Sequence, residues 1–362
     1  MATILHTREL KPGMITAEAI QENEQLILQK NVVLTSNIIH LLSRRGISTL
    51  KVKENIPHLY GVGQGQRNEV TEAALIVEDI AFFKKYQSAI VRASEFFRFM
   101  RQNETLPFTE INDLANNELY ELLQSKGVIG SLYKLKPYAD YTFLHMIDVG
   151  IIAGSIGRWC GLNKEEVQTL ILCGVMHDIG KSQIPLSILD KPDKLTPKEK
   201  KIVDLHPEYG YYMTKSMNCT PEEVQYAILQ HHERENGEGY PKKLTSCEIH
   251  PFAKIIAIAD TYDALTTDKA YQRSVTPFKA LEILVDEMFG FFELEYCKTL
   301  IHHVMKNLIG ATVLLSNGKQ AKVERFDYFM SLKPIVVTER GLVLDLHRIS
   351  NVSVVEVLRF CN

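Results

Sequence analysis

Apolar positions along the chain change their period twice. In the first 57 residues, LKPGMITAEAI and QLILQKN read as strands around Pro-Gly turn chemistry. VVLTSNIIHLLSRRGISTLKVK then predicts a short helix N-capped by Ser36 and closed by Gly46, followed by a strand from Ser48. GVGQGQRNE (61–69) has the composition of a flexible joint, and 70–127 carries helical periodicity without concentrated chemistry. From 129 to 308 the pattern is helical almost throughout. Thr196-Pro197-Lys198-Glu199 and Thr220-Pro221-Glu222-Glu223 each place Thr at an N-cap, Pro at the first helical position and Glu two further on, and Asn163 with Glu166 makes a similar box. From 310 the period becomes that of strands. Asn317-Gly318 is a two-residue hairpin turn between ATVLLS and KQAKVERF, and KPIVVTE, LVLDLH and SVVEVLRF follow. The predicted units are a small α+β N-terminal module (1–57), a linker with connecting helices (58–128), an all-helical bundle (129–308) and a β-rich C-terminal module (309–362).

Composition narrows the class only a little. With 362 residues, two or three packed units are expected. Hydrophobic residues at 45% and charged residues at 23% are ordinary for a globular protein. A net charge of -3 gives no reason to expect a nucleic-acid polymer or an acidic membrane as a bulk partner. The six cysteines show no C-x-x-C spacing, so they read as reduced, packed thiols. The N-terminus lacks the charged and apolar regions of a signal peptide, and the longest apolar stretch, near Val149–Trp159, is too short to span a bilayer. A cytoplasmic location is expected.

Chemistry concentrates in the helical unit. Five of the 12 histidines, His145, His177, His206, His231 and His232, fall within 88 residues of it. Val167, Leu170, Ile171 and Gly174 mark a buried stripe that Asp178 extends. Ile202, His206, Tyr209 and Met213 are expected to share one face, as are Val224, Ala227, Ile228 and His231 on the following helix. Ile256, Asp260 and Asp263 align in PFAKIIAIADTYDALTT, and His145 aligns with Tyr141, Val149, Ile152 and Ile156. A single histidine on an apolar face is ordinarily a satisfied core residue. Five facing inward on one bundle with two carboxylates point instead to metal, which helical bundles hold in this way. Imidazole and carboxylate donors without thiolate suit Fe, Mn, Zn or Ni. One ion takes about four protein ligands at most, so this many donors predicts two ions, bridged by an Asp such as Asp178.

His145, HDIGK (177–181), His206, HHERENGEGYP (231–241) and IADTYDALT (258–266) together resemble the HD-GYP family, a branch of the HD-domain metal-dependent phosphohydrolases. The resemblance covers about 129–308. It implies a mainly α protein whose all-helical HD domain hydrolyses the bacterial second messenger cyclic di-GMP; ring opening would give linear pGpG, and a second round could give GMP. It also implies two divalent ions, Fe or Mn, held by His145, His177, Asp178, His206, His231, His232 and Asp260. Asp178 and Lys181 would be catalytic, Lys181 contacting the substrate phosphate. Lys269, Arg273 and Tyr240 would be further substrate contacts. Two such ions supply a nucleophile at neutral pH and clamp a phosphate for in-line displacement.

Three positions depart from the family pattern. Tyr141 stands where a third-metal Glu occurs in some members, which argues for two ions. Asn236-Gly237 replaces the usual Asp-Gly and keeps its turn propensity. Lys269-Ala270-Tyr271-Gln272, with Arg273 next, replaces Arg-Pro-Tyr-Arg, and lysine lacks arginine's bidentate fork. Two alternatives therefore accompany cyclic di-GMP hydrolysis. One is hydrolysis of another nucleotide, such as a mixed cyclic dinucleotide. The other is a regulatory protein that senses the dinucleotide with little turnover. A homodimer contact or a protein partner would run through the terminal modules.

Overall fold

The computed structural model describes residues 2–10, 14–18, 20–22, 25–28, 34, 42, 47–53, 80–103, 107–125, 127–135, 141–189, 191, 194–217, 220–268, 274–327 and 332–360. At the N-terminus lie β1 (Ala2–His6), β2 (Ile15–Thr16), β3 (Ile20–Glu22), β4 (Gln25–Leu28) and β5 (Thr49–Lys53). They form a three-stranded sheet in the order β1-β5-β2 and a separate β3-β4 pair. β1, absent from the sequence reading, runs antiparallel to β5 with Ala2 opposite Lys53 and His6 opposite Thr49. Leu50 and Val52 alternate inward and join Leu10, Met14, Leu34 and Leu42 in a small apolar cluster of their own. The expected caps Ser36 and Gly46, and the joint at 61–69, lie outside the described residues.

Helices follow. α1 (Ile80–Asn103) precedes α2 (Phe108–Asp113), a π-helical turn (Leu114–Leu119), α3 (Tyr120–Leu123) and α4 (Val128–Leu135). α5 (Tyr141–Trp159) and α6 (Lys164–Met176) lead into a 3-10 turn (Ile179–Gln183) and α7 (Leu186–Leu189). α8 (Pro197–Val203), α9 (His206–Lys215), α10 (Glu222–Gln230), α11 (Pro251–Thr266), α12 (Pro277–Phe291) and α13 (Leu294–Leu308) complete the set. α5 is buried on every side from Phe143 to Gly157, with Leu144, Ile147, Ile151 and Ile156 fully buried, which is the pattern of a central helix. It packs against α6, α11 and α1. Each such side chain contributes about 1.5–3 kcal/mol on burial.

Two of the three expected capping boxes form. Asn163 accepts from Glu166 N while Glu166 takes Asn163 N, and Thr196 and Glu199 do the same at α8 with Pro197 in the first turn. At α10 the outcome differs. Pro221 occupies the N-cap, so the Thr220 hydroxyl caps nothing and is buried without a partner among the described residues. The stripe expected through Ile202 and His206 is also broken. Pro207 has no N–H to give the Val203 carbonyl, so the helix ends at Val203 and restarts at His206, leaving Ile202 exposed.

The C-terminal strands β6 (Thr312–Leu315), β7 (Gln320–Arg325), β8 (Ile335–Thr338), β9 (Val343–Asp345) and β10 (Val354–Arg359) form an antiparallel sheet in the order β10-β6-β7-β8-β9. The Asn317-Gly318 turn joins β6 to β7, with Gly318 N donating to Leu315 O. Phe360 packs edge-on against Tyr133 of α4. One continuous apolar cluster runs from Phe82 of α1 through the bundle to Phe360.

Candidate metal centre

Three histidines reach the centre of the bundle by the same local device. Each lies just past the end of a helix, where the last carbonyls have no intrahelical partner. His177, at the C-cap of α6, donates Nδ1–H to Gly174 O; His206, following α8, donates to Val203 O; and His231, at the C-cap of α10, donates to Ile228 O. All three distances are 2.7 Å. A carbonyl can only accept, so Nδ1 carries a proton and each Nε2 points inward, its lone pair open to a cation when the ring is neutral. The same missing N–H of Pro207 that breaks the helix leaves Val203 O open for His206.

The inward nitrogens converge on Asp178, which follows His177 and opens the 3-10 turn. Asp178 Oδ1 lies 3.2 Å from His206 Nε2 and 4.0 Å from His231 Nε2, while Oδ2 lies 3.5 Å from His177 Nε2 and 3.7 Å from His145 Nε2. Asp260 Oδ1, from α11, is 3.2 Å from His145 Nε2. The close approach of α9 to this turn requires Gly180 of HDIGK, because a Cβ there would lie 1.9 Å from His206 O.

Electrostatics prepare these groups for a cation. Burial lowers the pKa of His177, and burial with the neighbouring imidazoles holds His231 well below its usual value. Burial lowers His232 in the same way. These rings are neutral and able to ligate. Burial opposes the charge on Asp178 and Asp260, yet both pKa values fall well below the carboxylate norm. Lys181 and the imidazoles outweigh burial at Asp178, and chiefly His145 does so at Asp260. His145 is the exception among the rings: burial disfavours its charge, but hydrogen bonds to Asp260 and Asp263 raise it to about 9.

Donor atoms of His206, His231 and His232 lie within 4.8 Å of one another, as do those of His145, His177 and Asp260, and those of His177, Asp178 and His231. Two features fit a cation rather than a purely hydrogen-bonded core. His177 Nε2 is buried and makes no hydrogen bond among the described residues. His206 Nε2 and His231 Nε2 face each other at 3.2 Å, two lone pairs that repel unless an electropositive atom lies between them. All seven residues expected as ligands are thus brought together.

The segment after His232 closes over this cluster. Tyr240 N donates to His232 O, and the Tyr240 ring stacks on His232 with centroids 4.6 Å apart. Burial, then Asp204, Asp178 and Asp260, raise the Tyr240 pKa. Gly239 passes so near the chain that a Cβ would sit 2.4 Å from Glu233 Cα. Glu233, buried, accepts from Lys242 N at 2.6 Å and Leu244 N at 3.0 Å, so a carboxylate braces the loop from beneath.

Lys181 places Nζ 2.5 Å from Asp178 Oδ2 and keeps about a third of its side chain exposed. It is held in a 3-10 turn rather than one α-helical turn beyond His177. Lys269 and Arg273 lie outside the described residues, as does the side chain of Tyr141, the first residue of α5. His250 caps α11 by accepting from Phe252 N. Glu233, Asp263 and the buried pair Tyr86–Asp148 join the site or its support without a role expected from sequence. Asp263 did carry a signal, an acid on the apolar stripe of α11. Glu233 and Tyr86 carried none.

Residues 114–289 match the HD-domain family. The chain is 30% identical over 251 residues to cyclic di-GMP phosphodiesterase PA4108 of Pseudomonas aeruginosa, covering 69% of this chain and 58% of that protein. It is 33% identical over 150 residues to 3'3'-cGAMP-specific phosphodiesterase 1 of Vibrio cholerae, covering 41% of this chain and 35% of the relative. The chain thus spans less than two thirds of either relative. Among solved structures, Bd1817, an HDG"Y"P protein from Bdellovibrio bacteriovorus, shares the fold with a TM-score of 0.53 at 16% identity, covering 84% of this chain and 99% of its own. No helix among the described residues is long and apolar enough to cross a membrane. With HDIGK and the HHERENGEGYP loop built around one buried cluster inside the segment that matches the HD domain, the chain is similar to the HD-domain family and carries the motifs by which it resembles the HD-GYP branch.

Proposed function

We propose that this protein is a metal-dependent phosphodiesterase that opens cyclic di-GMP to linear pGpG and carries it on to GMP. The observation that carries the reading is the convergence of two three-donor groups, His206/His231/His232 and His145/His177/Asp260, on the shared carboxylate of Asp178. Two divalent ions, Fe or Mn, would be held there, one by each group, with Asp178 common to both. When bound, they supply a nucleophile at neutral pH and neutralise charge on the phosphate.

The chain's own residues do the rest. Asp178 keeps its negative charge at neutral pH, which the pairing with Lys181 favours. Lys181, partly exposed beside it, offers an ammonium to the non-bridging phosphate oxygens as charge develops, and the displaced 3′ oxygen leaves in line. Tyr240 and the loop it anchors would limit water at the cluster and position the dinucleotide, with Lys269 and Arg273 as further cations for its phosphates. We propose further that the protein acts in the cytoplasm, and that residues 1–57 and 309–362 form modules for dimer or protein contacts.

A second reading is cleavage of a mixed cyclic dinucleotide. The Vibrio cholerae relative and the replaced arginines at 269 and 272 favour it. The deciding experiment uses protein purified without air or chelator, with elemental analysis and a panel of cyclic di-GMP, 3′,3′-cGAMP and pGpG. Two ions per chain and faster turnover of cyclic di-GMP support the proposal. Preference for 3′,3′-cGAMP supports the second reading. Binding without turnover in fully metallated protein would make this a sensor instead.

A further inference from the structure

His145 differs from the other three anchored histidines. His177, His206 and His231 lean on neutral backbone carbonyls, whereas His145 Nδ1 lies 2.7 Å from the carboxylate Oδ2 of Asp263. Asp263 is fully buried, three residues beyond Asp260 on the same face of α11. Its other oxygen, Oδ1, accepts from Thr267 Oγ1 at 3.1 Å, which fixes the plane of the carboxylate. α11 therefore holds the imidazole by both nitrogens, with Asp263 at Nδ1 and Asp260 Oδ1 3.2 Å from Nε2.

We infer that Asp263 is a positioning residue for the ion held by His145. The carboxylate accepts the Nδ1–H hydrogen bond, which fixes the ring plane, and it would make Nε2 a stronger donor than a carbonyl-anchored imidazole once a cation displaces the Nε2 proton. Loss of this contact would weaken the ion in the His145/His177/Asp260 group and spare the ion in the His206/His231/His232 group. The arrangement makes the two half-sites unequal, one tuned by a charged group and the other by helix-end carbonyls. The inference rests on the two-ion part of the proposed function and not on its substrate.

The test is a calorimetric titration of Mn²⁺ into metal-free full-length protein. The variants are Asp263→Ala and Asp263→Asn, each with His145 intact and in a His145→Ala background. Asp263→Ala should weaken one of two binding events by about 10–100-fold. Asp263→Asn should weaken it less, because its amide oxygen still accepts from Nδ1. Neither change should alter Mn²⁺ affinity once His145 is absent. Equal losses in both backgrounds would reduce Asp263 to a packing residue, and unchanged affinity in both variants would overturn the inference. Should Asp263→Ala fail to fold, Asp263→Asn decides by the same comparison. Wild-type protein that binds two ions but leaves cyclic di-GMP intact would sink the proposed function while leaving this assignment standing.

Discussion

Adding one methyl group at Gly180 tests whether backbone approach sets the metal geometry. In Gly180→Ala the new Cβ would lie 1.9 Å from His206 O and 2.5 Å from Gly210 N, both backbone atoms that no rotamer change can move. Since real Cβ contacts essentially never fall below 3.0 Å, the turn and α9 must part by about 1 Å. That movement acts on His206 directly, and its Nε2 lies only 3.2 Å from Asp178 Oδ1. A displacement of this size at a reacting centre costs on the order of 10²-fold in rate. Overpacking the buried contact costs about 1–3 kcal/mol of stability. Gly180→Ala should therefore stay folded with a lowered melting temperature, bind metal more weakly and lose about two orders of magnitude in turnover. Thermal unfolding of metal-free protein, Mn²⁺ titration and cyclic-di-GMP turnover read the three effects separately. A variant with reduced stability but wild-type affinity and turnover would refute the reasoning, because the strain would then have been absorbed away from His206.

Other perturbations probe the same cluster. Asp178→Ala should lose both ions and all turnover, since two cations would then face each other without the shared carboxylate; full metal content by elemental analysis would contradict that role. Lys181→Ala should keep its fold and lower turnover by ~10²-fold, about 2.7 kcal/mol of transition-state stabilisation. A raised KM at constant kcat would restrict Lys181 to binding, and lost metal would show that its 2.5 Å contact with Asp178 matters more than its contact with substrate. Arg101→Lys in α1 should lower kcat with little change in KM. Its guanidinium reaches both Lys181 O at 3.1 Å and Ile184 O at 3.3 Å, a span that one ammonium does not reproduce, and wild-type kcat would show that the turn holds itself.

What the sequence determined by itself is what short-range chemistry can determine. The boxes at Asn163 and Thr196 close between residues three apart, and the Asn317-Gly318 hairpin needs only its own backbone conformation. Helical period and residue type mark His145, Asp178, His231 and Asp260 as inward, and the full set of seven donors follows from the resemblance of HDIGK and HHERENGEGYP to a known family. Thr220 shows the limit even there, since the same signal produced Pro221 at the cap and a hydroxyl without a partner among the described residues. Tertiary structure decided everything that joins distant segments. His145 finds Asp263 across 118 residues and Tyr86 finds Asp148 across 62, and nothing in either neighbourhood selects those partners. The need for Gly180 likewise appears only when α9 is packed against the turn. Periodicity tells which way a side chain faces, but a buried polar group is stable only with its partner in place, and the partner is supplied by the packing of the whole bundle.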